Sequence, residues 1–209
     1  MTMRPMRTVQ RRSHRLWPAD LGHVLERVAA GFSLRNVEKG DRILAEPTKQ
    51  PVRERPHRLS KDLYTGEAIV AFTACVAARN ALFSDFNVVE VFAAELGRAA
   101  ARHTCAVVVY CFMPDHLHVL LQGTAPDADL WRAMVLFKQQ TGYWLKKNRP
   151  HMSWQKDFHD RVLRQDENLV DYIRYIANNP VRARLVKDWR EYPSVGSDTL
   201  DLEETLGAA

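Results

Sequence analysis

The stretch Val107–Gln122, VVVYCFMPDHLHVLLQ, contains two apolar segments separated by a short turn at Met113–Asp115. Each apolar segment has the length and the β-branched content of a buried strand. A turn this short joins antiparallel strands, so the sequence predicts a hairpin with strands at Cys105–Phe112 and His116–Gln122. Such a hairpin favours a mainly antiparallel α+β sheet over a doubly wound parallel one.

The second strand of this hairpin begins with His116-Leu117-His118. Residues i and i+2 of a strand project to the same face, so the two imidazoles are expected side by side while Leu117 points to the other face. Two converging imidazoles form half of a metal site. The alternative is one exposed histidine and one histidine that is hydrogen-bonded in the core.

The other predicted elements interleave helices with strands. Ala68–Ala77 is apolar enough for a buried strand, and periodic apolar residues predict three helices. The first helix begins at Asn87 as N-cap, the second spans Leu130–Lys147, and the third spans Asp166–Asn178 with Asp166 as its cap and Pro180 after its end. In residues 1–58 only the segment 21–32 has helical spacing.

Charge is distributed unevenly along the 209 residues. Residues 1–60 and residues 131–190 each carry 13 Lys and Arg against 6 Asp and Glu, whereas residues 61–130 carry 4 against 8. The sequence pI is about 9.2. Two basic zones around a mildly acidic middle are typical of a protein whose partner carries phosphates.

Several classes of protein are excluded by the same sequence. Its apolar segments are shorter than the roughly 20 residues of a membrane-spanning helix. The basic N-terminus is not followed by the apolar stretch of a secretory signal, so we expect a cytoplasmic, nucleoid-associated protein. Cys75, Cys105 and Cys111 are odd in number and lie in apolar segments without CxxC spacing, which predicts buried thiols rather than disulfides or a zinc site.

The third predicted helix carries residues that could complete a site at the histidine pair. Tyr175 and Asn179 are four residues apart and therefore on one face, whereas the residue four after Tyr172 is Ile176, which cannot bind a metal. The alternative is a surface tyrosine followed by a helix stop at Asn178-Asn179-Pro180.

A family resemblance rests on three segments in order: MPDHLHVLL, then YIANNPVRARLV about fifty residues later, then WREYPSVGS. Together they resemble the REP-associated tyrosine transposases, a branch of the single-tyrosine HUH nucleases with an IS-type transposase domain. The resemblance extends over residues 59–197. It divides the chain into a basic N-terminal extension at 1–58, an HUH domain at 59–197 and an acidic C-terminal tail at 198–209. It implies a ferredoxin-like sheet that carries the histidine pair, with the HUH nuclease architecture.

The resemblance also implies roles for individual residues. Tyr175 corresponds to the nucleophile, and His116, His118 and Asn179 correspond to the ligands of a divalent metal, for which Mg²⁺ or Mn²⁺ is expected. The chain departs from the family at Ala177, where a polar residue is common, and in the length of its N-terminal extension.

The activity implied is cleavage of single-stranded hairpin DNA by transesterification through a 5′-phosphotyrosine. We expect a monomer, with a dimer as the alternative. Trp131, Trp144 and Trp154 would stack on unpaired bases or pack in the core. Basic side chains would contact the DNA phosphates: Lys138, Lys146, Lys147, Arg149, Arg174, Arg182 and Arg184.

Three other functions remain open at the level of sequence. The first is a domesticated protein that binds hairpin DNA without cutting it. The second is a metal-dependent hydrolase in which the ion activates water. The third is an RNA-binding ferredoxin-like module, although the two hairpin strands lack the aromatic signature of such modules.

Overall fold

The computed structural model describes residues 60–164 and 166–207. The basic N-terminal extension and its predicted helical segment lie outside these residues, so the division of the chain into segments stays a prediction. No helix in the described part of the chain is both long and apolar enough to cross a membrane.

In the part of the chain that the structure describes, five antiparallel strands form one sheet in the order β4-β1-β3-β2-β5. The hairpin predicted from the sequence is present and pairs Met113 with His116 at its turn. The first four strands and the two helices that cross between them have the β-α-β-β-α-β order of a ferredoxin-like fold, so the predicted α+β class is confirmed. The strands are β1 (Ile69–Cys75), β2 (Cys105–Met113), β3 (His116–Gly123), β4 (His159–Val162) and β5 (Val195–Gly196).

Among the described residues, five α-helices accompany the sheet, and the predicted starts of two of them are wrong. The first helix is capped by Asp85, whose carboxylate accepts from the backbone N–H of Asn87, so Asn87 is not the cap. The third helix is capped by Asn168, which accepts from two backbone N–H groups, and Asp166 lies in the preceding turn. The helices are α1 (Phe86–Arg102), α2 (Leu130–Asn148), α3 (Leu169–Ala177), α4 (Asn179–Arg182) and α5 (Leu202–Leu206).

The alternation of side chains along β3 separates two apolar cores. Leu117, Val119 and Leu121 belong to the core that α1 and α2 cover. Leu120 belongs to the core on the opposite face, with Ile173 and Ile176 of α3. His116 and His118 are four and two residues before Leu120 on the same strand, so their side chains lie on the face of the sheet that α3 covers.

The C-terminal segment is fixed to the sheet by a few polar contacts. Tyr192 donates its phenol hydrogen to the carbonyl of Phe112 at 3.0 Å, and the N–H of Phe112 donates to Ser194. β5 then pairs with β2, so the WREYPSVGS segment attaches the C-terminal part of the chain to the sheet. Beyond it, Leu202 is buried against the α3 core, although the sequence suggested only an acidic tail there.

The three cysteines are buried and unpaired, which confirms their prediction as core thiols. Burial raises the pKa of Cys105 and of Cys111 to about 12, so neither forms a thiolate near neutral pH.

The end of β3 packs closely against the start of the described chain. A Cβ atom on Gly123 would lie 1.7 Å from the carbonyl oxygen of Gly66 and 2.9 Å from the Cβ of Ala128. Gly142, on α2, has no neighbour within 4 Å of the same position.

We therefore expect opposite effects from two glycine substitutions. Gly123→Ala should lower the free energy of unfolding by about 1–3 kcal/mol because backbone must move to admit the methyl group. Gly142→Ala should raise it by about 0.5–1 kcal/mol because alanine restricts the unfolded chain and favours the helix. Urea unfolding measures both, and equal midpoints for the two variants would contradict the close contact at Gly123.

Candidate active site

The two histidines of β3 form the centre of the candidate site. Their Nε2 atoms face each other at 3.0 Å, with the ring planes nearly perpendicular. Two nitrogen lone pairs this close repel each other unless a proton or a cation lies between them. A proton shared in a hydrogen bond between the rings, or a bound cation, relieves this repulsion.

His116 is oriented by the residue before it. Its Nδ1 lies 2.6 Å from the carboxylate of Asp115, which accepts the Nδ1 hydrogen and so leaves Nε2 as the atom that faces His118. Burial alone would raise the pKa of Asp115, but the hydrogen bond from His116 and the charge of Arg79 lower it below its ordinary value. The carboxylate is thus ionised and holds the ring in place.

His118 is oriented from the neighbouring strand. Its Nδ1 lies 3.0 Å from the hydroxyl of Thr73, its register partner on β1. Burial, followed by the charges of His116, Arg182 and Arg79, lowers the pKa of His118 to about 4. The ring is therefore neutral at pH 7 and keeps a lone pair available for a cation.

The two tyrosines of α3 have different surroundings. Tyr172 is half-buried, and burial raises the pKa of its phenol, which is hydrogen-bonded by Arg161. Tyr175 is 46% exposed, and the Arg182 guanidinium lies 4.4 Å from its ring centroid. The helix that carries both tyrosines packs on β2 and β3, and Tyr175 is the more exposed of the two.

Asn179 begins α4, which packs against β2. Its amide nitrogen donates to the carbonyl of Ile176 at 3.2 Å, so the amide oxygen is the atom left to bind a cation. No group of three His, Cys, Asp or Glu side chains with the arrangement of a metal site occurs among residues 60–164 and 166–207. The role of Asn179 as a third ligand stays a prediction.

Lys138, one of the predicted DNA contacts, has partners within the protein. The Lys138 ammonium donates to the carbonyls of Gln155, Lys156 and Asp157 at 2.8, 3.2 and 3.0 Å, so all its hydrogens are used within the protein. Its burial lowers its pKa. Lys138 therefore fixes the connection between α2 and β4, and its role toward DNA stays a prediction.

The other predicted basic contacts have exposed side chains. Lys147 lies 4.5 Å from the ring centroid of Tyr143, Arg149 pairs with Asp85 at 2.9 Å, and Arg174 pairs with Asp171 at 2.8 Å. Their roles toward DNA stay predictions, as do those of the exposed Lys146, Arg182 and Arg184.

The three tryptophans expected to stack on bases or to pack in the core are half-buried against the α1–α2 core. Trp154 lies within 6 Å of Phe83, Phe92 and Phe137, ring centroid to ring centroid, and donates its indole hydrogen to Thr141 at 2.8 Å. Of the two interpretations, the structure supports packing.

Three residues around the histidines are not identified by sequence reasoning, namely Thr73, Asp115 and Arg79. The sequence contains an indication of two of them: Thr73 is a polar residue inside an apolar strand, and Asp115 directly precedes His116. Arg79 left none, because only the folded chain brings it to Asp115, at 3.2 Å.

Comparison with known proteins agrees with this architecture. A solved structure described as a REP-associated tyrosine transposase bound to a REP hairpin superposes with a TM-score of 0.54 at 18% identity, covering 71% of this chain and 94% of that one. At that identity the likeness shows the fold, which is the HUH fold expected from the resemblance.

Relatives by sequence point the same way. A curated protein of Haemophilus influenzae, named as a REP-associated tyrosine transposase, is 30% identical over 44% of this chain, and the match spans 63% of that relative's length. The family described as "Transposase IS200 like" matches residues 66–179, which include both histidines, Tyr175 and Asn179. With more than half of its residues inside that match, the chain belongs to the IS200-like transposase family.

Proposed function

We propose that this transposase is a metal-dependent endonuclease and strand transferase that cleaves single-stranded hairpin DNA through a 5′-phosphotyrosine on Tyr175. The observation that carries the proposal is the pair of Nε2 atoms 3.0 Å apart, each on a ring whose other nitrogen is hydrogen-bonded. A DNA-binding protein without chemistry has no use for imidazoles held in this way.

The donor set fits a divalent ion. Two ligands at right angles around an ion, each about 2.1 Å from it, are about 3 Å apart, which is the separation of the two Nε2 atoms. His116, His118 and the Asn179 oxygen would hold the ion. An amide oxygen with two imidazoles is a poor match for the thiolate-rich sites of structural zinc, and we expect Mg²⁺ or Mn²⁺ as the ion. When bound, the ion would polarise the scissile phosphate as a Lewis acid.

Tyr175 would carry out the covalent step. Its phenol oxygen attacks the phosphorus, a bond between them forms, and the bond from phosphorus to the 3′ oxygen breaks. The leaving oxygen keeps the electron pair and takes a proton, while the phenol hydrogen passes to water, so the products are a 5′-phosphotyrosine and a 3′-OH. A second 3′-OH can reverse the step and join new strands without ATP.

The substrate assignment rests on charge and on the relative of known structure. That protein is described as bound to a REP hairpin, and this chain carries 13 Lys and Arg against 6 Asp and Glu over residues 131–190. A folded single strand presents both unpaired bases and closely spaced phosphates, which such a surface attracts. We expect the protein to act as a monomer.

The first test is covalent trapping of the nucleophile. Wild-type protein with labelled hairpin DNA and Mn²⁺ should give a protein–DNA adduct on a denaturing gel, and EDTA should abolish it. Tyr175→Phe should give no adduct because it lacks the attacking oxygen. Tyr172→Phe is the matched control on the same helix and should retain the adduct.

Other outcomes would separate the alternatives. An adduct that persists in Tyr175→Phe and is lost in Tyr172→Phe would show that Tyr172 is the nucleophile. Cleavage without any adduct would indicate a hydrolase, and hairpin binding without cleavage would indicate a domesticated binding protein.

The second test concerns the residues that orient the histidines. Thr73→Val and Asp115→Asn should each weaken Mn²⁺ binding by about 10- to 100-fold, because loss of an outer hydrogen bond leaves the ligand ring without a fixed orientation. Calorimetric titration with Mn²⁺ measures the affinity. Thr124→Val, whose hydroxyl donates to Thr104 at the other end of the sheet, is the control and should bind Mn²⁺ like the wild type. Unchanged affinity in both site variants would contradict the proposed metal site.

A further inference from the structure

Two arginines approach the histidine pair from different elements of the fold. Arg79 lies in the connection between β1 and α1, and Arg182 ends α4. Arg79 lies 3.2 Å from the carboxylate of Asp115, which contacts His116. Arg182 lies 4.4 Å from the ring centroid of Tyr175. The roles proposed for the metal ligands and for Tyr175 do not require either arginine.

Arg182 reaches the site because the chain bends between two helices. α3 ends at Ala177, and α4 begins at Asn179 with Pro180 in its first turn. The bend brings the Arg182 guanidinium to 4.4 Å from the Tyr175 ring centroid, a cation–π distance. The side chain is exposed, so the guanidinium retains hydrogens that can meet a ligand at the phenol.

Arg79 is held at the site by a backbone conformation that non-glycine residues seldom adopt. Ala78 and Arg79 both have φ of +55°. Two backbone hydrogen bonds to the turn before His116 secure the connection, from Val76 N to Asp115 O at 2.9 Å and from Phe83 N to Pro114 O at 3.0 Å. Unfavourable backbone geometry that the surroundings maintain is most common at functional sites.

The contact that Arg79 makes leaves much of it free. One guanidinium nitrogen lies 3.2 Å from the Asp115 carboxylate, which in turn accepts from His116. The side chain is nevertheless 59% exposed. An exposed ion pair contributes little stability, so the energy of folding does not account for the strained connection.

We propose that Arg79 and Arg182 are catalytic residues that clamp the scissile phosphate from its two sides, with Arg182 also holding the Tyr175 ring for attack. The inference rests on the proposed function and adds to it the groups that stabilise charge on the phosphate. In phosphoryl transfer, arginines in this position act mainly on the transition state, so their removal slows the reaction more than it weakens binding. They would differ in this respect from the exposed basic residues of α2, which would contribute to affinity.

The experiment measures the rate of adduct formation in single turnover at saturating hairpin DNA and, separately, the dissociation constant in Ca²⁺ without cleavage. The variants are Arg79→Ala, Arg182→Ala and Arg182→Lys. Arg98→Ala is the matched control, because Arg98 is 58% exposed and forms the same kind of ion pair, with Glu95, away from the site. Thermal unfolding verifies that each variant is folded.

Each alanine variant should lose about 100-fold or more in rate with only a few-fold change in dissociation constant. Arg182→Lys should recover part of the rate, since it restores the charge without the planar stacking, and Arg98→Ala should match the wild type. A loss confined to the dissociation constant would overturn the clamp. If excess Mn²⁺ restores the rate of Arg79→Ala, the proposed contact of Arg79 with the phosphate is overturned. Arg79 would then act on metal binding through Asp115. If the wild type forms no adduct, the proposed function itself fails and the clamp fails with it.

Discussion

The antiparallel pairing of β3 with both of its neighbours is the constraint on which the rest of the structure depends. Pairing with β2 fixes the tight turn before His116, and pairing with β1 puts Thr73 opposite His118. The register also decides which face each side chain occupies. A shift of one residue would place the histidines in the apolar core under α1 and α2 and move Leu117 toward α3.

The same register explains the chemistry of the site. Since His118 is packed between strands and close to positive charge, its ring stays neutral and its lone pair stays available. His116 is held by an ionised carboxylate, and that carboxylate is held by Arg79. Positive charge from Arg79 and Arg182 lies close to the histidines and Tyr175, which is an environment that an anion such as a phosphate completes.

Much of the fold could be predicted from the sequence because its strongest patterns are local. The two hairpin strands and the helix predicted at Leu130–Lys147 follow from local apolar patterns, and all three are observed. The helix starts were less accurate, since Asp85 and Asn168 compete with Asn87 and Asp166 as caps, and only the folded backbone decides between such neighbours.

The long-range contacts could not be predicted. Lys138 was interpreted as a DNA contact because its charge is visible in the sequence, whereas the three carbonyls it binds are 17 to 19 residues away. Arg79 was overlooked for the converse reason, because its partner Asp115 is 36 residues away. Packing of the C-terminal segment on β2 likewise depends on a tertiary hydrogen bond from Tyr192.

The central claim is that the fold brings two oriented imidazoles and one exposed tyrosine to a common metal site. The most direct measurement is anomalous diffraction at the manganese edge from crystals of the Tyr175→Phe variant with hairpin DNA and Mn²⁺. The account predicts one strong peak bonded to the Nε2 atoms of His116 and His118, with a DNA phosphate beside it and the substituted phenyl ring facing that phosphate. A peak away from the histidines, or a phosphate bound on the α1–α2 face of the sheet, would contradict it.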